Sequence, residues 1–170
     1  PKNYSDYDGK KAKSEIDITQ RLNDAMESHY QELQQYYKKH GIIMSVFYFI
    51  NKVRTGGDWD LKNQGDWNLV KNQDYVYNGI TIRSDEPGNI HFGYVGSVIF
   101  DAETLQAGAG VYQILSDTSK PEFYSSYFDD PIDSMNVMYG YLLKNGSSYS
   151  FPGYTITIEE FEKTYRETHK

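Results

Sequence analysis

Leu22, Met26, Tyr30, Leu33 and Tyr37 recur at intervals of three and four residues until Gly41 interrupts the series. Apolar residues at that period lie on one face of an α-helix, and the face must be covered by another layer of structure. The spacing predicts a long amphipathic helix that opens at Asp17-Ile18-Thr19-Gln20, read as a capping box, and stops at Gly41. A second, more apolar helix is predicted from Ile43 to Arg54, ended by Gly56-Gly57, and the stretch Ile42 to Ile50 is expected to be buried.

Beyond it the pattern changes. Two Trp-centred segments, around Trp59 and Trp67, are expected to be irregular and to pack through their indoles. Tyr75 to Ser84 alternates around Asn78-Gly79, a strong hairpin signal. After Pro87-Gly88, the glycines 93, 96, 108 and 110 punctuate small and apolar residues as far as Leu115, which reads as two closely packed helices meeting near Asp101. Thr118 to Asp130 reads as an aromatic loop, and Pro131 as the first turn of a helix running to Lys144 and stopped by Asn145-Gly146. A strand is expected around Tyr154 to Ile156. Thr157-Ile158-Glu159-Glu160 then caps a terminal helix that exposes Glu162, Lys163 and Arg166. The fold class is α+β: a helix-rich single domain with a small β-hairpin and a short additional strand. Residues 1–13 lack periodicity and read as a flexible leader or linker remnant, leaving 14–170 as the one domain.

Bulk properties narrow the function. A chain of 170 residues suits a single core. The net charge of -7, with both signs interspersed, provides no broad cationic face and disfavours nonspecific nucleic-acid binding. No apolar run is long enough to span a bilayer. No basic-then-apolar leader opens the segment, so export would use a signal outside it. The absence of cysteine removes disulfides, thiolate nucleophiles and Cys-ligated zinc. The 17 tyrosines suit either half-buried packing or a surface that binds glycans, peptides or proteins.

His91 stands between glycines in Gly88-Asn89-Ile90-His91-Phe92-Gly93, in a region otherwise poor in charge. Imidazole handles protons near neutral pH, so the residue is a catalytic candidate; the alternative is a buried, hydrogen-bonded structural histidine. His29, His40 and His169 carry no functional signature. Asp129-Asp130-Pro131-Ile132-Asp133 offers the paired carboxylates that acid-base cleavage uses, or else a helix N-cap with a first-turn charge. Asp60 and Lys62 flank Trp59 and either orient a polar substrate against the indole or stay solvated while Trp59 plugs the core. Phosphate-binding loops, dinucleotide fingerprints and metal-ligand spacings are absent, so no cofactor is expected.

Three ordered blocks carry a family resemblance: Phe49 to Lys62 with its Gly-Gly-Asp-Trp, Gly88 to Gly96, and Asp129 to Asp133. Together they resemble the bacterial polymorphic toxin type 44 domain, over roughly Ile16 to Gly146. The chain departs from that pattern at Asp58, where a Pro usually stands, and at Phe100, where a small residue is common. The resemblance implies the C-terminal effector domain of a larger secreted protein, delivered into competing bacteria and neutralised in the producer by a cognate immunity protein. It nominates His91, Asp60, Lys62, Asp130 and Asp133 as catalytic residues. Trp59, Asn89, Tyr94 and Tyr127 are the accompanying substrate-binding candidates. The expected activity is hydrolysis of cell-wall glycan or peptide by His/carboxylate chemistry in a monomer. The alternatives are a metal-independent, RNase-like nuclease and a non-enzymatic module that binds wall polymer or protein.

Overall fold

The protein is described from a computed structural model covering residues 16–65, 67, 69–107, 131–146, 148–151 and 153–170. The apolar stripe forms α1 (Thr19–Val53), which buries Leu22, Met26 and Leu33 before Gly41, and Val46, Phe49 and Val53 after it. Gly41 adopts φ 75° and ψ -178°, a conformation that favours glycine. The break folds the element into a hairpin. Tyr36 and Tyr48 stack with ring centroids 4.0 Å apart, whereas on one straight helix they would lie about 18 Å apart along the axis. Ile42, Ile43 and Met44 sit at the outside of this corner and are 41, 58 and 50% exposed, so burial of the second arm begins only at Ser45, later than its apolar sequence predicts.

The N-terminal capping box does not form. Asp17 accepts instead from the Thr19 backbone N–H at 2.8 Å, and Gln20 turns to Asp24. Asp17 belongs to a short strand, β1 (Ile16–Asp17), that pairs in parallel with β2 (Asp74–Tyr77). β2 continues into β3 (Ile80–Arg83) through the predicted hairpin, with Tyr75 opposite Ile82 and Tyr77 opposite Ile80. Both turn residues, Asn78 and Gly79, have positive φ, as a two-residue turn of matching twist requires.

α2 (Glu86–Gly96) and α3 (Ala102–Ala107) follow, the latter opened by Asp101, whose carboxylate accepts from Thr104 N–H at 2.7 Å. α4 (Pro131–Asn145) ends, as expected, at Gly146 with φ 92°. The strand predicted near Tyr154 is β5 (Tyr154–Thr157); it is one arm of a second hairpin with β4 (Ser148–Phe151). α5 (Ile158–Thr168) starts at the predicted capping box, in which Thr157 and Glu160 bond reciprocally. Its outer face is less free than expected. Glu162 accepts from Tyr139 Oη, and Arg166 donates to the Asn78 and Gly79 carbonyls.

The architecture is thus helix-rich α+β, with two small sheets. One apolar cluster gathers β2, β3, the first arm of α1, α4 and α5; the other gathers Leu33 and the second arm of α1, Leu105 of α3 and Trp59. α2 supplies both, Ile90 to the first and Phe92 and Val95 to the second. It meets α4 backbone to backbone. A Cβ on Gly93 would lie 1.8 Å from the Val137 carbonyl oxygen, and one on Gly140 would lie 1.8 Å from that of Ile90. Among the described residues no helix is long and apolar enough to cross a membrane.

Candidate functional site

The loop after α1 is folded back on the helix it leaves. Gly56 takes φ 78°, Gly57 sits so close that a Cβ would meet the Lys52 carbonyl oxygen at 2.3 Å, and Trp59 N–H donates to that oxygen at 2.8 Å. These bonds satisfy carbonyls that a helix end leaves open and fix where Trp59 points. Asp58, at the position where proline was expected, reaches back to the Lys52 ammonium at 2.8 Å, so the loop closes through an ion pair. Phe100, the second departure, is buried against Phe49.

Trp59, only 3% exposed, stacks on His29 with centroids 4.6 Å apart and planes 15° apart. His29 Nδ1 lies 2.7 Å from His91 Nε2, joining α1 to α2. His91 is itself 1% exposed, yet it lines a cleft of about 330 Å³ together with Trp59, Asp60, Lys62, Asn89 and Asp133. That volume falls at the small end of ligand pockets. The cleft therefore gathers residues from all three sequence blocks. Gly88 also lines it, and nothing would meet a Cβ there, so the two glycines that frame His91 differ in role: Gly93 admits α4, Gly88 borders open space.

Individual side chains are placed as follows. Asp133 accepts from Asn89 Nδ2 at 2.8 Å, which ties the first turn of α4 to α2. Asp60 accepts from the Gly56 backbone N–H at 2.8 Å and from Asn63, so it braces the loop as well as lining the cleft. Lys62 is exposed at the mouth, where Asp60, Asp85 and Asp133 outnumber it. Tyr94 is not at the cleft; its hydroxyl donates to Glu27 at 2.7 Å and its ring meets Tyr30 edge to face. Lys144 completes that second cluster, 2.8 Å from Glu27 and 3.8 Å from the Tyr30 ring centre. Asp130 and Tyr127, like the whole expected loop and residues 1–13, lie outside the described residues.

Burial decides the charge state of the histidines. It holds His91 well below the ordinary imidazole range, with His29 adding to the effect. His29 is lowered to about 4, again by burial first, with Glu32 opposing and Lys52 reinforcing the shift. Near neutral pH both rings are uncharged. In the second cluster, hydrogen bonds from Lys144, Gln31 and Tyr94 lower Glu27 to about 2. Among the described residues no group of three or more histidines and carboxylates is arranged to hold a metal ion.

The family model for bacterial toxin 44, Ntox44, matches residues 48–146, more than half of the chain. The chain belongs to this family. The match spans the Gly-Gly-Asp-Trp block, the His91 block and Asp133, which are the parts that meet at the cleft. No curated protein and no solved structure matches the chain. His29 falls outside the matched part of the Ntox44 domain. Sequence reasoning passed over it, although one signal was present: positions 22, 26, 29 and 33 continue the buried stripe of α1, and His29 stands where that stripe calls for an apolar residue.

Proposed function

We propose that this Ntox44 domain is a hydrolase of bacterial cell-wall glycan or peptide, with the cleft around His91 as its active site. The observation that carries the reading is the convergence of His91, Asp60, Asn89 and Asp133 on one cleft. His91 accepts the proton of the attacking water and returns it to the leaving oxygen or nitrogen, a role that suits a neutral imidazole. Asp133, held by Asn89, orients that water or stabilises positive charge that develops on the substrate. Lys62, the lone cation among the described lining residues, receives a carboxylate or developing oxyanion of the substrate. Trp59 forms the apolar wall. The effector is delivered into competing bacteria as part of a larger protein, and a cognate immunity protein protects the producer.

The acidic mouth argues against a polyanionic substrate, because three carboxylates face one ammonium. The alternative is a metal-independent nuclease in which His91 handles the proton and Lys62 the phosphate charge; His29, bonded directly to His91 and likewise uncharged near neutral pH, is not placed as the second, acidic group. Expression in bacteria with and without an export signal separates the two. The wall reading predicts lysis only after export, lost in His91→Ala and in Asp133→Asn. Cytoplasmic toxicity with degraded RNA would overturn it in favour of the nuclease.

A further inference from the structure

We infer that His29 is the positioning residue of His91, holding its ring and fixing which nitrogen His91 offers to the cleft. The inference rests on the reading of His91 as the proton-handling group. It joins to the site a residue of the long N-terminal helix, outside the segment that the family model matches.

His29 Nδ1 and His91 Nε2 lie 2.7 Å apart. Two ring nitrogens at that distance require one N–H between them, and neutral rings supply one. His91 Nε2 is thereby committed, and Nδ1 is the nitrogen left to exchange protons with water and substrate. For His91 to act as a base, Nδ1 must be unprotonated, so Nε2–H donates and His29 Nδ1 accepts. His29 can hold this orientation because it is itself held. Its ring lies flat on Trp59, which is fixed by its backbone bond to Lys52, and Trp59 also meets His91 edge to face at 6.1 Å. The arrangement follows the general logic of a catalytic base oriented by a third group.

The charged and titratable groups around the pair fit the assignment. Glu32 and Lys52 of α1 act on His29 with opposite sign, and Lys52 is itself engaged by Asp58 and by Glu32 at 2.8 and 3.4 Å. Tyr48 donates to Glu32. On the cleft side stand Asp60, Lys62, Asp85 and Asp133. Burial, more than the opposed effects of Glu32 and Lys52, keeps the ring neutral with a lone pair for His91.

Two variants separate hydrogen bonding from packing. His29→Phe keeps a ring on Trp59 and removes the acceptor; His29→Asn keeps a polar atom near Nδ1 and removes most of the stack. Imidazole 15N NMR of the intact domain reads the geometry without any substrate. A scalar coupling between His91 Nε2 and His29 Nδ1, with His91 Nδ1 unprotonated, is expected; two interconverting His91 tautomers with no coupling would overturn the inference. In sacculus digestion, His29→Phe should lower kcat on the order of 10²-fold or more, as loss of an orienting partner does, with KM unchanged. His29→Asn should recover part of that loss. Wild-type kcat in His29→Phe would contradict the role. If the wild-type domain releases nothing from sacculi, the wall reading fails, and the coupling measurement still decides the place of His29.

Discussion

His29 and His91, 62 residues apart in sequence, face each other at 2.7 Å between α1 and α2, with Trp59 stacked on the first. The contact ties the cleft to the helix hairpin that forms the scaffold. It also makes stability depend on acidity. Both rings have folded-state pKa values below the ordinary 6.5, so the unfolded chain takes up protons first as pH falls. Their contribution is fully present above about 6.5 and is lost progressively toward pH 4, the value to which His29 is lowered. Thermal melting followed between pH 7.5 and 4 should show Tm falling through that window. In a His29→Phe, His91→Phe double variant the fall should be shallower. An unchanged slope would contradict the buried, neutral pair.

A separate acid limb comes from Glu27. Its carboxyl is lowered to about 2 by Lys144, Gln31 and Tyr94, so its contribution holds above the ordinary 4.5 and disappears as pH falls toward 2. Lys144→Met should flatten the melting curve below pH 4.5 and leave the window above pH 5 unaltered.

Backbone contact between α2 and α4 sets the position of His91. Gly93→Ala would gain roughly 1 kcal/mol in helix propensity at an exposed site. Here the added methyl meets the Val137 carbonyl oxygen, and overpacking of this kind costs typically about 1–3 kcal/mol or more. Urea denaturation should show a net loss for Gly93→Ala and for Gly140→Ala. Gly88→Ala, which meets no atom, should be far milder.

The C-terminus is fastened by a buried carboxylate. Glu86, 1% exposed, accepts from Arg83 N–H at 2.9 Å and lies 3.2 Å from His169 Nε2. Replacing Glu86 by Ala leaves the Arg83 N–H and His169 without this acceptor, for which losses of about 1–3 kcal/mol are usual. His169→Ala should cost less, because Glu86 retains Arg83. Denaturant midpoints of the two variants give the comparison.

Local chemistry made much of the fold legible. Asn78-Gly79, Gly41, Gly146, and Thr157 with Glu160 each mark a boundary through backbone geometry that depends on nearest neighbours only. What escaped depended on distant partners. Asp17 has the sequence of a helix cap, yet it lies in a strand formed only when Tyr75 and Val76 arrive beside it. Ile42, Ile43 and Met44 look like core residues until the hairpin places them on its outer corner. At the cleft, glycine spacing pointed to His91, and the resemblance nominated Asp60 and Asp133, which line the same cleft. His29 stayed hidden because a histidine in a helical stripe gains meaning only from the ring it faces 62 positions later.

Purified sacculi incubated with the wild-type domain and with His91→Asn, each shown folded by circular dichroism, decide whether His91 serves an active site. The wild type should release soluble wall fragments, with a fall of at least about 10²-fold in the variant, the usual scale for loss of a general base. Equal release by both proteins would contradict it, and would move the active site away from the cleft that His91 lines.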